Sequence, residues 1–291
     1  MHATGSAFGR LSRVCRSLFL GLAGVSAVGA GQATTLAWTY RSPPECRGPT
    51  HGLESVNKPG EPRLVVFLGD SLVTGVGCSC PLNPDVECIH GGPVLPRRIA
   101  ERLAETLGAP VEWHAVGMTG ASVRDLLERV LPQASLRMMH PEHRQDRKID
   151  MVVILCGVND WKRAWRSYSP ATFEDGLVKL VHAARERLHL PPDCPILLPA
   201  VNGSMIENVP KFQIEPLRSM LAFVAEQYDR AKRRVAMRFG DRVRYVTALS
   251  ASREASMALF SRFDGVHPNE IGYQRWADHI FDQVHVKFPN A

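Results

Sequence analysis

The chain has 291 residues, 45% of them apolar, with seven cysteines and a formal net charge of +6. That length and apolar share suit one sizeable α/β domain, and no internal repeat or linker divides it. Four of the net charges belong to Arg10, Arg13, Arg16 and Arg41 in an acid-free first 44 residues, which leaves +2 for the rest and argues against nucleic acid as a partner.

In chain order, Arg10, Arg13 and Arg16 precede an apolar stretch of about thirteen residues, Leu18 to Ala30, the pattern of a signal peptide's charged and hydrophobic regions. The stretch is short for a spanning helix, which needs about 20 apolar residues. Small residues from Ala27 to Ala33 suit cleavage, while an uncleaved form would associate with a membrane as an N-terminal anchor. An acid-free, Arg- and Ser-bearing mitochondrial transit peptide is the rival, and the pattern favours export. Residues 1–44 are therefore expected to be leader and linker, and 45–291 the working domain, secreted or membrane-anchored.

Leu64-Val65-Val66-Phe67-Leu68 reads as a strand buried on both faces, with Gly69 letting the chain turn sharply before Asp70 and Ser71. Leu95, Ile99, Leu103 and Leu107 recur every fourth residue and predict a helix over 94–107. Val111 to Val116 predicts a second strand, followed by Gly117 to Ser122 opening a helix over 123–132. Met151 to Cys156 predicts a third strand, ending in Gly157-Val158-Asn159-Asp160. A helix over 172–188, a strand at Ile196 to Val201, a helix over 214–238, a strand at Val243 to Thr247 and a helix over 270–286 complete the chain. Arg230, Lys232, Arg233, Arg234 and Arg238 are expected on the solvated face of the helix over 214–238. Strands alternating with helices imply a parallel sheet covered on both faces, with ligands at the carboxyl ends of its strands.

Three of those ends carry groups that can act together. Ser71 is inert at its free pKa and needs a base, an orienting acid and donors for a developing oxyanion. Asp264 and His267 stand three apart in a loop feeding the last helix, where Pro268 suits the first turn, so the carboxylate can hold one ring nitrogen and leave the other outward. The Asn159 side chain and the backbone N–H groups of Gly120 and Ser71 are the candidate donors.

In this order the pieces resemble the signature blocks of the SGNH (GDSL-like) hydrolase superfamily, over roughly residues 62 to 287. The resemblance implies a nucleophilic Ser71, a general base His267, an orienting Asp264, and an oxyanion hole from Ser71, Gly120 and Asn159. It also implies, with five strands, a three-layer α/β/α sandwich of flavodoxin-like type. One departure is Ala115-Val116-Gly117, where relatives often carry Asn shortly before the glycine of the second block. The expected activity is hydrolysis of a small-molecule or lipid carboxylic ester, of esterase, lipase or lysophospholipase type, through an acyl-enzyme, with no cofactor and no metal. Transfer of the acyl group to a carbohydrate or lipid acceptor shares the first half-reaction, and a non-catalytic binding module of the same fold is a third reading. Gly69, Gly75 and Gly77 do not have dinucleotide-loop spacing.

The loop from Gly75 to Pro93 is expected to overhang the pocket, with a local disulfide among Cys78, Cys80 and Cys88 in an oxidising compartment, or, against the usual spacings, a zinc cluster with His90. Cys156 is expected as a buried free thiol. Met205, Ile206 and Val209 are candidates for an apolar acyl wall, and Trp161 and Trp165 for the pocket border, with packing onto the body as the alternative for each.

Overall fold

The computed structural model describes residues 24, 26–55, 57–78, 92–139, 148–163, 168–200, 209–249 and 257–283. An N-terminal helix, α1, covers 26–39. The strands are β1 (His51–Glu54), β2 (Arg63–Gly69), β3 (Val111–Gly117), β4 (Ile149–Leu155), β5 (Ile196–Pro199) and β6 (Val243–Val246). They form one sheet in the order β1-β3-β2-β4-β5-β6. Every pairing is parallel except β1 with β3. Without β1, the order is that of flavodoxin-like folds.

Alternation explains why the central strands are apolar throughout. Leu64, Val66 and Leu68 of β2 join Val152 and Ile154 of β4 in a core on one face. Val65 and Phe67 join Met151 and Val153 in a core on the other. The first face is covered by α3 (Val123–Asp125) with its continuation α4 (Leu131–Met139), by α6 (Pro170–Arg187) and by α7 (Leu217–Phe239). The second is covered by α2 (Val94–Leu107) and α8 (Glu270–Gln283). These are the three layers that the resemblance implied. The short α5 (Val158–Trp161) follows β4 directly.

Three differences from the sequence reading have physical causes. The sheet has six strands, because the four-residue edge strand β1, His-Gly-Leu-Glu, is too short and polar to show a pattern; Trp113 Nε1 donates to Glu54 Oε1 at 2.9 Å across it. The helix expected to stop at 132 runs on to Met139 through a π-helical turn at Leu126–Val130. There the Leu131 N–H bonds Leu126 O, and this widened turn carries the chain past Pro132, which has no N–H to donate. Lys232 is not solvated: it is 1% exposed, and its Nζ donates to Pro199 O at 2.5 Å. Its position follows helical spacing, since Ala225, Tyr228, Lys232, Val235 and Phe239 share the buried face of α7, while Arg230, Arg233, Arg234 and Arg238 are exposed as expected.

Cys156 is a buried free thiol, pushed up to about 12 by burial. Cys78 is also free, and its thiol lies in hydrogen-bonding contact with that of Cys46; Cys80, Cys88 and His90 lie outside the described residues. So do Met205, Ile206, Trp165 and most of the stretch Leu18 to Ala30. No described helix is long and apolar enough to cross a membrane.

Candidate active site

The chain runs from β2 to β3 on one side and from β3 across β2 to β4 on the other, so the sheet's switch point opens a crevice at the carboxyl ends of these three neighbours. Ser71, Gly120 and Asn159 are the groups that follow those ends. At Gly69 the cause of the glycine is crowding: a Cβ there would stand 2.5 Å from Val73 Cγ2 and 2.6 Å from Leu155 O. The turn after it is secured through Asp70, whose backbone oxygen accepts from Val73 N–H and whose Oδ1 accepts from Leu72 N–H at 3.1 Å.

His267 comes from the other side of the crevice, in the loop before α8. That loop is bonded to itself: Ser261 N–H donates to His267 O at 2.8 Å, Gly265 N–H to Ser261 O at 2.8 Å, and Asn269 N–H to Leu259 O at 2.8 Å. It lies against the turn that carries Ser71, at Gly77, which has φ +92° and where a Cβ would meet Pro268 O at 2.6 Å and His267 Cβ at 2.8 Å. Only glycine allows both that backbone conformation and that approach.

These supports bring the three expected residues together. His267 Nε2 lies 3.0 Å from Ser71 Oγ, and His267 Nδ1 lies 2.6 Å from Asp264 Oδ2. Asp264 Oδ1 accepts from the backbone N–H groups of Val266 at 3.0 Å and His267 at 3.2 Å. Burial pushes the Asp264 carboxyl up, but the bonds from His267 and these N–H groups outweigh it and hold the group below the ordinary carboxylate range. An ionised Asp264 keeps a proton on Nδ1, so Nε2 faces Ser71 as an acceptor.

The donor side is built around two buried acids. Asn159 Nδ2 donates to Asp70 Oδ2 and to Ala121 O, both at 3.0 Å, which ties the ends of β2, β3 and β4 through one amide. Asp160 Oδ1 and Oδ2 both accept from Val123 N–H, at 3.0 and 3.1 Å, and so hold the first turn of α3, just beyond Gly120, against α5. Burial pushes the Asp160 carboxyl up to about 6, with the Asp70 charge adding to it. Burial also raises Asp70 above its ordinary value. Arg163 Nη2 donates to Gly120 O at 3.3 Å. Gly120 has φ +80°, yet a Cβ there would meet nothing within 4 Å, so its backbone conformation, not crowding, calls for glycine. The N–H groups of Ser71 and Gly120 donate to no acceptor among the described residues.

Two residues beside the triad were not anticipated. Asp160 directly follows Asn159 in the chain, but its role depends on where α3 begins in space. Tyr40, in the segment read as leader and linker, places its hydroxyl 3.1 Å from Asp264 Oδ2. No periodicity marks it. Of the candidates for the pocket wall, Val209 and Trp161 are buried in the core instead. Among the described residues, no group of three or more His, Cys, Asp or Glu side chains is placed to hold a metal ion.

Comparison with solved structures agrees with this architecture. The lipase Lip_vut3 from a goat rumen metagenome superposes with a TM-score of 0.55 at 18% identity, covering 78% of this chain and 99% of its own. A catalytic mutant of Axe2, an acetylxylan esterase from Geobacillus stearothermophilus, superposes with a TM-score of 0.51 at 20% identity, covering 80% of this chain and 99% of its own. At these identities the likeness is one of fold. No curated protein matches in sequence. The model of the GDSL-like lipase/acylhydrolase family matches residues 67–275, from the end of β2 into α8 and across every block that carries a reacting group, and the chain belongs to that family of ester hydrolases.

Proposed function

We propose that the protein hydrolyses a carboxylic ester through an acyl-enzyme on Ser71. The observation that carries the reading is the unbroken contact from Asp264 Oδ2 to His267 Nδ1 and from His267 Nε2 to Ser71 Oγ, at 2.6 and 3.0 Å. His267 takes the Ser71 proton as Oγ attacks the ester carbonyl and then gives it to the departing alkoxide. Water, deprotonated by the same imidazole, attacks the acyl-enzyme; the carboxylic acid leaves and Ser71 regains its proton.

The oxyanion is held by the N–H groups of Ser71 and Gly120 and by Asn159. The two backbone donors support this role because they have no other acceptor among the described residues. Asn159 contributes by sharing an amide proton that Asp70 or Ala121 accepts in the resting enzyme. The two backbone donors, being preorganised, need no rearrangement when charge develops.

Labelling with a fluorophosphonate tests the reading. One adduct on Ser71, lost in Ser71→Ala, is the expected result; a wild-type protein that stays unlabelled and inactive on nitrophenyl esters of every chain length would overturn it. The same ester series reads the acyl length that the pocket accepts.

A further inference from the structure

Asp264 Oδ2 receives two donors, and only one of them is His267. The other comes from more than two hundred residues away: the Tyr40 hydroxyl stands 3.1 Å from Asp264 Oδ2 and 3.3 Å from His267 Nδ1. With Asp264 ionised and Nδ1 protonated, the carboxylate is the acceptor that remains for the phenol. Tyr40 thus closes a triangle with the orienting pair on the side away from Ser71.

The phenol is held there by structure. Tyr40 N–H donates to Leu36 O at 2.9 Å, which fixes the residue at the end of α1. That helix is pinned to the start of α7 at both ends of one amide, with Gln32 Nε2 donating to Glu215 O at 2.9 Å and Leu217 N–H donating to Gln32 Oε1 at 3.2 Å. Gly29 sits so close to α7 that a Cβ would stand 2.3 Å from Met220 Sδ. Lys162, just past α5, holds its Nζ 5.9 Å from the centre of the Tyr40 ring. Burial and the Asp264 charge raise the phenol above its ordinary value, so it stays a donor across the working range.

We propose that Tyr40 is a positioning residue, whose hydroxyl locks the Asp264 carboxylate in the plane that aims His267 at Ser71, making α1 part of the catalytic unit. The inference rests on the acyl-enzyme reading above. Losing the phenol leaves the carboxylate held by two backbone N–H groups at Oδ1 and by His267 alone at Oδ2, which loosens its plane and the aim of the His267 ring. It also leaves Oδ2 with more charge to hold a protonated imidazole, so the acid limb of the rate profile moves to higher pH. Among the described residues, Asp70 beyond β2, Lys162 beyond α5 and Tyr273 in α8 also reach this cluster with their fields, and none of them is altered by the substitution tested.

The experiment compares wild type, Tyr40→Phe, Asp264→Asn and the double variant in the full chain, by fluorophosphonate labelling rate, ester kinetics and melting temperature. Tyr40→Phe keeps the ring beside Lys162 and is expected to melt with wild type. Its kcat should fall about three- to tenfold, the size of one hydrogen bond, at unchanged KM and with the acid limb moved up. In the Asp264→Asn background the same substitution should change nothing further. A Tyr40→Phe rate within twofold of wild type with an unmoved limb, or an equal loss in the Asp264→Asn background, would overturn the role of Tyr40 while Ser71 still labels. A wild type that does not label at Ser71 would remove the acyl-enzyme reading and this inference together.

Discussion

The two walls of the crevice are made differently. The donor wall, with Ser71, Gly120 and Asn159, grows from the ends of three hydrogen-bonded neighbours, β3, β2 and β4, whose parallel register sets the spacing of the groups. The base wall, with Asp264 and His267, is a loop outside the strands of the sheet among the described residues, kept in shape by its own backbone bonds, by the approach at Gly77 and by Tyr40. A sheet places groups through many cooperative bonds, so one lost contact moves little. A loop held by a few contacts passes each loss directly to the group it carries.

Substitutions can sharpen or break that contrast. The largest effect is expected where the walls meet: Ser71→Ala should lower kcat by about 10⁴-fold or more with the melting temperature nearly unchanged, and His267→Ala should lower kcat as much while also melting earlier, because buried Asp264 loses a donor; steady-state kinetics beside calorimetry check both. Asn159→Ala should cost about 10²–10³ in kcat. It should also cost about 1–3 kcal/mol of stability, read by denaturant unfolding, because Asp70 Oδ2 loses its donor inside the protein.

On the base wall, Gly77→Ala replaces no reacting group, yet its methyl would meet Pro268 O and His267 Cβ and force the His267 loop outward. A fall in kcat on the order of 10²-fold is expected, since displacements near 1 Å have such effects. Wild-type rates in Gly77→Ala would show that the loop yields elsewhere and that the contrast is overdrawn.

A further effect belongs to the donor wall and touches stability alone. Asp160 is raised from its ordinary 3.8 to about 6, so the native state binds this proton more tightly than the unfolded chain. Its contribution is greatest below about pH 4 and is lost as pH rises through 6, by roughly 3 kcal/mol at the outside. Asp160→Asn, which keeps one acceptor oxygen for Val123 N–H, should lack this slope. Equal pH dependence of unfolding in the two proteins would count against it.

Much of the donor wall can be read directly from sequence, because a strand buried on both faces must be apolar throughout and therefore announces where it ends. Leu68, Val116 and Leu155 each stand near such an end, and the polar group that follows is conspicuous. The base wall was readable only through Asp264, His267 and Pro268, whose chemistry is local. β1 was not readable, since four residues at a sheet edge need no pattern. Lys232 was misread by charge, although its helical spacing with Tyr228 and Val235 put it on the buried face. Asp160 and Tyr40 carry no periodic signal, because what they bind lies far along the chain.

The amino-acid order by itself determined the alternation of strands and helices, the layers on both faces of the sheet, and which side chains could serve as nucleophile, base, acid and donor. Periodic burial and residue chemistry are properties of short segments, and short segments can be read alone. Only the tertiary structure decided that Asn159 bonds Asp70 and Ala121, that Asp160 holds the start of α3, that Gly77 lies against His267, and that Tyr40 reaches Asp264. Those contacts join segments separated by 37 to 224 positions, and their distances exist only once the sheet order and the packing of its helices have been set.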